Sequence, residues 1–401
     1  MGADDRSTLV AGTAEVVPAD GLERKLELGR PLRVKLGLDP GAAMVTLGWA
    51  VVLRKLRQFQ DLGHQAVLIV GDFTARVGDP SGRSDTRPRQ SKQVVQEHAD
   101  RLLDQFWLVL ERERTEVRYN SEWLEPMDME AILGLTSSYT VARMLERDDF
   151  ADRYEQGRPI SIMEFLYPLF QGKDSVAVEA DVELGGHDQT FNLLVGRDLQ
   201  RSAGLEPQVA LTMPLLVGTD GVKKMSQSLG NYIGIAEPPD AMFGKLSRVP
   251  DELIAEYRRL TLDFFRDPEE ADRVAKGLAD GSLDPWTEKR RLAREVVDLY
   301  HGEGAGERAE AEFDRVHKQG EAPDEIPSGE IPPGLVVDGR VYLPRLLAEL
   351  GLAESASRAR GLVEQGGVRL DGEQHVELDA PVERLRGSVL QVGRRRFVRL
   401  G

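Results

Sequence analysis

Three clusters of polar side chains stand out by residue type and spacing. In "EFLYPLFQGKDSVAVEADVELGGHDQTFN", residues 164–192, Tyr167, Gln171 and Asp174 recur at spacings of four and three. On a helix that brings a phenol, an amide and a carboxylate to one face, a set able to bind an ammonium and a polar side chain. Gly185 and Gly186 then permit close approach of backbone to a ligand, and Asp188 and Gln189 follow. In "GDFTARVGDPSGR", residues 71–83, Gly71 and Asp72 end an apolar run and Asp79 sits in a loop suited to a ligand ammonium. In "GVKKMSQSLGNYIG", residues 221–234, Lys223, Lys224, Ser226 and Ser228 lie between glycines. Mobile lysines and hydroxyls of this kind suit closure over a triphosphate. Each cluster alone also reads as a turn, a solvated helix face or a basic loop. Their combination favours a ligand site.

The elements that must position these groups follow from hydrophobic periodicity. "LRVKLGL" is strand-like, "TLGWAVVLRKLRQFQDLG" has helical apolar spacing with Gly63 as a stop, and "QAVLIVGDF" is a buried strand. Strand, helix, strand is a right-handed βαβ unit, the start of a parallel doubly wound sheet. "EADVELGG" near 179–186 and "QVALTMPLLVG" near 208–218 extend the sheet, and roughly 90–175 reads as largely helical. Residues 236–320 are helical and charged, 321–334 are a proline-rich linker, and 335–401 read as two helices with short strands, locally rich in arginine.

Composition narrows the class. The chain has 401 residues, 41% hydrophobic and 30% charged, as expected for globular domains. No run approaches eighteen apolar residues, and the acidic N-terminus lacks a signal core, so a cytoplasmic protein without a membrane span is expected. With 0 cysteines and 6 scattered histidines, no metal site is expected. The net charge of −16 argues against wholesale coating of nucleic acid but leaves room for a local basic face.

Read together, "QFQDLGHQAVLIVGDFTARVGDPSGR", "YPLFQGKDS", "ELGGHDQTFNLLVGRDLQ" and "DGVKKMSQSLGNYIGI" resemble bacterial tyrosyl-tRNA synthetase, a class I synthetase. The tail "LLAELGLAESASRARGLVEQGGVRLDGE" resembles the S4-type RNA-binding module of that family. The resemblance implies an N-terminal extension at 1–30 and a Rossmann-like α/β catalytic domain at 31–235 with a helical dimerisation insertion. It further implies a helical anticodon-binding-like domain at 236–320 and an S4-like domain at 335–401. It assigns Lys35, Asp39, Asp79, Asn120, Tyr167, Gln171, Asp174 and Gln189 to the amino acid. Asp79, Tyr167 and Gln171 would hold the ammonium, Asp174 the phenol, Gln189 the region of the carboxylate, and Lys224 the pyrophosphate. RNA contacts fall to Arg345, Arg358, Arg360, Arg394, Arg395 and Arg396, and a two-fold dimer forms through the insertion near 120–165.

The departures from the family lie on the phosphate side. The family's threonine is Gly41, and its His-x-Gly-His motif is Thr46, Gly48 and Trp49. The third loop position after Lys224 and Ser226, normally lysine, is Gln227, and Lys173 and His187 stand where the family has other residues. Losing one phosphate-directed donor costs about 10²–10³ in rate, so the combined deficit is expected to reach on the order of 10⁴-fold. The expectation is therefore a divergent paralogue that keeps its amino-acid pocket but has left ATP-dependent adenylation. It would use tyrosine, a related amino acid or aminoacyl-tRNA, with catalytic groups Lys224, Lys173, His187 and Gln189. Its nucleotide site is degenerate and no cofactor is tightly bound. The alternatives are a working tyrosine–tRNA ligase using ATP and Mg²⁺ with substitute contacts from Lys173, His187 or Arg83, and a non-catalytic amino-acid or tRNA sensor.

Overall fold

A six-stranded sheet is built from β1 (Glu15–Val17), β2 (Arg33–Leu38), β3 (Gln65–Val70), β4 (Thr115–Tyr119), β5 (Val182–Gly186) and β6 (Val209–Met213). Their spatial order is β1-β6-β5-β2-β3-β4; β2 to β6 run parallel and β1 is an antiparallel edge. The computed structural model describes residues 3–79, 91–263, 267, 269–316, 326–393 and 396–401. Two compact units result, Met1–Tyr300 and His301–Gly401.

In the first unit, helices α1 (Ala3–Val10) and α2 (Gly21–Leu26) flank β1, and α3 (Leu47–Asp61) joins β2 to β3. Thr46 starts α3 by accepting Trp49 N–H on its hydroxyl at 3.3 Å, and Gly63, at φ 86°, lets the chain turn out of its end. Leu47, Ala50, Val51, Leu53, Leu56 and Phe59, spaced as one helical face, are fully buried against the sheet. After β3 come α4 (Lys92–Phe106), β4, then α5 (Ser121–Leu124), α6 (Met129–Ser137), α7 (Val141–Met144), α8 (Asp148–Glu155) and α9 (Ile162–Ala177). Ser161 and Glu164 form a capping box at the start of α9, which packs on α10 (Thr190–Ser202). Helices α11 (Pro239–Leu246), α12 (Ile254–Thr261), α13 (Glu270–Ala279) and α14 (Pro285–His301) follow β6, and the Tyr257 hydroxyl donates to Val217 O at 2.6 Å.

Two elements differ from expectation. β4 lies inside the stretch read as helical, because "TEVRY" is a half-buried edge strand without the apolar run that marks β3. The N-terminal extension contributes β1 and buries Leu9, so it belongs to the sheet unit.

The second unit contains α15 (Ala305–Asp314), then helices Leu343–Glu349 and Ala356–Glu364 with short strands. These strands form a five-stranded and a three-stranded sheet around Val341, Leu346, Leu347, Val363, Val368 and Leu390. Arg345, Arg358, Arg360 and Arg396 are exposed on it, while Arg394 and Arg395 lie outside the described residues. The boundaries at 235/236 and 334/335 stand as proposed subdivisions of these units. Among the described residues no helix is long and apolar enough to cross a membrane.

Candidate active site

Strands β2, β3 and β4 succeed one another toward one edge, whereas β5 and β6 are added on the opposite side of β2. The order reverses between β2 and β5, and crevices at such a point bind ligands beyond the strands' carboxyl ends. A cavity of about 900 Å³ opens there. It is lined by Asp39 after β2, Gly71 and Thr74 after β3, Gly185 and Gly186 at the end of β5, Asp188 and Gln189 just beyond it, and Tyr167, Gln171 and Asp174 from α9.

One hydrogen-bonded chain organises its acids. Tyr167 Oη donates to Asp39 Oδ2 at 3.0 Å, and Thr74 Oγ1 donates to Asp39 Oδ1 at 2.7 Å. Asn120 Nδ2 reaches Thr74 Oγ1 at 2.9 Å and Asp174 Oδ2 at 3.3 Å, while Trp123 Nε1 holds Asp174 Oδ1 at 2.8 Å. A Cβ at Gly71 would overlap both Asp39 Oδ1 and Thr74 Oγ1, so only glycine fits beside this pair. Burial pushes Asp39 up to about 7 against the hydrogen bond from Thr74, and burial pushes Asp174 up to about 7 against the charge of Lys35. Burial and the Asp39 charge hold the Tyr167 phenol well above its usual range.

The opposite wall holds Gly41 and Thr46 from the turn before α3 and Gly48 and Trp49 from its first turn, with Lys224, Met225, Ser226, Gln227 and Ser228 from the loop. Lys224 Nζ pairs with Asp188 Oδ2 at 2.6 Å, Ser226 Oγ meets Ser228 Oγ at 2.9 Å, and Gln227 Nε2 donates to Met44 O. Among the described lining residues the charged groups are Asp39, Asp79, Asp174, Asp188 and Lys224. Acids outnumber bases there, which suits ligands that bring an ammonium or a divalent cation.

Several residues assigned from sequence do not face the cavity. Lys35 is fully buried: strand alternation turns it under α9, where Nζ meets Glu183 Oε1 and Ser175 Oγ at 2.8 Å and Gln171 O at 3.1 Å. Asn120 stands behind the wall and acts through Thr74 and Asp174. Lys173 follows Gln171 by two positions, about 200° around the helix, and is absent from the lining. His187 is also absent from it; its ring Nδ1 lies 3.2 Å from Thr212 Oγ1, while the next two residues of the same turn face the ligand space. Arg83 lies outside the described residues. Thr74, Trp123, Arg147 and Asn192 join the site without having been expected there; only Thr74 carried a signal, three residues beyond Gly71, which follows β3.

Known proteins match this architecture along nearly the whole chain. The family model described as "tRNA synthetases class I (W and Y)" matches residues 27–318, and that of the S4 domain matches 343–374. A tyrosine–tRNA ligase of Moorella thermoacetica is 51% identical over 97% of this chain and 94% of its own length. One from Geobacter sulfurreducens is 47% identical over 99% and 98%. The fold also matches the crystal structure of an Archaeoglobus fulgidus tyrosyl-tRNA synthetase complexed with L-tyrosine, at a TM-score of 0.63 and 22% identity. That match covers 76% of this chain and 98% of the other.

Proposed function

The chain belongs to the class I tRNA synthetase family, and from that premise we propose that it is a tyrosine–tRNA ligase. Tyrosine's carboxylate attacks the α-phosphorus of ATP and pyrophosphate leaves; a hydroxyl of tRNA then takes the tyrosyl group from the adenylate, and AMP leaves. The observation that carries this reading is the amino-acid side of the cavity. Asp79, Tyr167 and Gln171 line it together with Asp174, whose two carboxylate oxygens are both held by N–H donors. Such a carboxylate accepts a phenol proton, and a second acid beside a phenol oxygen and an amide suits an ammonium.

For the phosphates, the chain offers Lys224, the Ser226 hydroxyl and the N-terminus of α3, with a Mg²⁺ ion arriving with ATP. Reaction of this kind depends chiefly on positioning and charge stabilisation, so it tolerates exchange of individual donors at a cost in rate. Full-length relatives named tyrosine–tRNA ligase support this reading over departure from the family reaction. The exposed Met129, Leu133, Val141, Tyr154 and Ile162 on and around α6 to α9 offer an apolar face for a second copy. Exposed Arg345, Arg358, Arg360 and Arg396 offer phosphate-directed charge for tRNA.

One observation favours a second reading, a repurposed enzyme fed with an activated amino acid. Gly41, Trp49 and Gln227 line the cavity without any charged group to meet phosphate. Tyrosine-dependent exchange of pyrophosphate into ATP separates the two. The proposed function requires exchange that depends on both tyrosine and Mg²⁺, and tyrosine binding without exchange would favour the second reading.

A further inference from the structure

Arg147, in the link between α7 and α8, is buried and absent from the cavity lining. Its guanidinium lies within 3.8 Å of Asp79, pairs with Asp149 at 2.6 Å, and donates from Nη1 to Asn192 Oδ1 at 3.2 Å. Asn192, fully buried on α10, donates from Nδ2 to Gln189 Oε1 at 2.9 Å. Gln189 then donates from Nε2 to Asp79 Oδ2 at 3.1 Å. We propose that Arg147 is a positioning residue that fixes the amide polarity of Gln189 through Asn192, so that Gln189 turns its donor end toward Asp79 in the cavity.

A guanidinium only donates, so it must meet the oxygen of Asn192. Asn192 is then left with its NH₂ for Gln189, which must answer with oxygen and keep its own NH₂ for the next partner. The carboxylate of Asp79 can only accept, so the chain closes with every polarity matched. Reversing any amide would set oxygen against oxygen inside the wall, where an unmet polar group is costly. The orientation of a cavity residue on α10's approach is thus set from the helical segment between β4 and β5.

This inference rests on the amino-acid pocket proposed above, and Asn192→Asp tests it. The introduced carboxylate keeps a strong partner for Arg147 but cannot donate to Gln189, so it competes with Asp79 for the Gln189 NH₂ and the polarity of that amide is no longer set. A merely structural role for the Arg147–Asn192 contact predicts unchanged stability and unchanged ligand affinity. The expected result is a folded protein with a Tm at or below that of the wild type and tyrosine binding weakened about 10-fold or more by calorimetry. Arg147→Met should weaken tyrosine in the same direction, with ATP affinity unchanged. Wild-type affinity for tyrosine in a folded Asn192→Asp protein would overturn the inference while leaving the ligase reading intact. A wild-type protein that binds no tyrosine would overturn both.

Discussion

Gln227 donates its side-chain amide to the main-chain carbonyl of Met44, so the loop and the turn before α3 touch each other. On the same loop Lys224 reaches across to Asp188 beyond β5. The loop is therefore drawn over the cavity by one neutral and one charged contact, and only the charged one carries chemistry for a phosphate.

That difference predicts unequal effects of the two residues. Lys224→Met should lower the rate of tyrosine-dependent pyrophosphate exchange by about 10²–10³, with the tyrosine KM little changed. Gln227→Ala removes one neutral hydrogen bond, about 1 kcal/mol, and should raise the ATP KM only a few-fold. Steady-state exchange kinetics with each substrate varied in turn checks both. Equal losses in the two variants would contradict the division of roles.

The raised carboxyls give a pH signature. Asp39 and Asp174 titrate at about 7 in the folded chain against 3.8 in the reference state. Between those values the folded protein keeps protons that the unfolded chain has released, so their contribution to stability falls as pH rises through that window. An ammonium and a phenol favour the ionised acids. Tyrosine should therefore bind more tightly at about pH 8 than at about pH 6 and expel protons as it binds. Calorimetry in buffers of different ionisation enthalpy reads that release; identical heats in all buffers would contradict it.

The two ends of the cavity carry separate indole reporters. Trp123 donates to Asp174, and Trp49, 39% exposed, lines the wall at the start of α3. Tyrosine should alter emission through Trp123 and ATP through Trp49. Trp123→Phe should then abolish the tyrosine-induced change alone, and Trp49→Phe the ATP-induced change alone. A Trp49→Phe protein with the full ATP response would place the nucleotide elsewhere.

The buried pair beneath α9 predicts a stability effect. Lys35 and Glu183 are 0% and 1% exposed at their side chains, 2.8 Å apart. Lys35→Met strands the Glu183 charge and should cost about 3–5 kcal/mol in urea unfolding. The double variant with Glu183→Gln should recover a large part, because no uncompensated charge remains.

Much of this site was legible in the sequence because short-range rules govern it. The spacing of Tyr167, Gln171 and Asp174 placed them on one helical face, and all three line the cavity. Gly63 marked the end of α3, and the glycines after β3 and at the end of β5 marked where the chain approaches a ligand. What escaped depends on tertiary packing. Lys35 sits between residues of a strand whose two faces look alike in sequence, and only the pairing of β2 with β5 shows that its charge is consumed by Glu183. Lys173 neighbours site residues in sequence yet turns away from the cavity. Arg147 and Asn192 are 45 positions apart, and no local pattern announces that they meet. The residue types at Gly41, Thr46, Trp49 and Gln227 are plain in the sequence, but what they do in the reaction depends on how the other donors are arranged around the cavity.

Aminoacylation itself tests the ligase reading without an intermediary. Purified protein supplied with tyrosine, ATP, Mg²⁺ and tRNA(Tyr) should accumulate tyrosyl-tRNA through many turnovers per active site. Tyrosine binding in the absence of any tyrosyl-tRNA formation, with an authentic ligase active on the same tRNA, would contradict it.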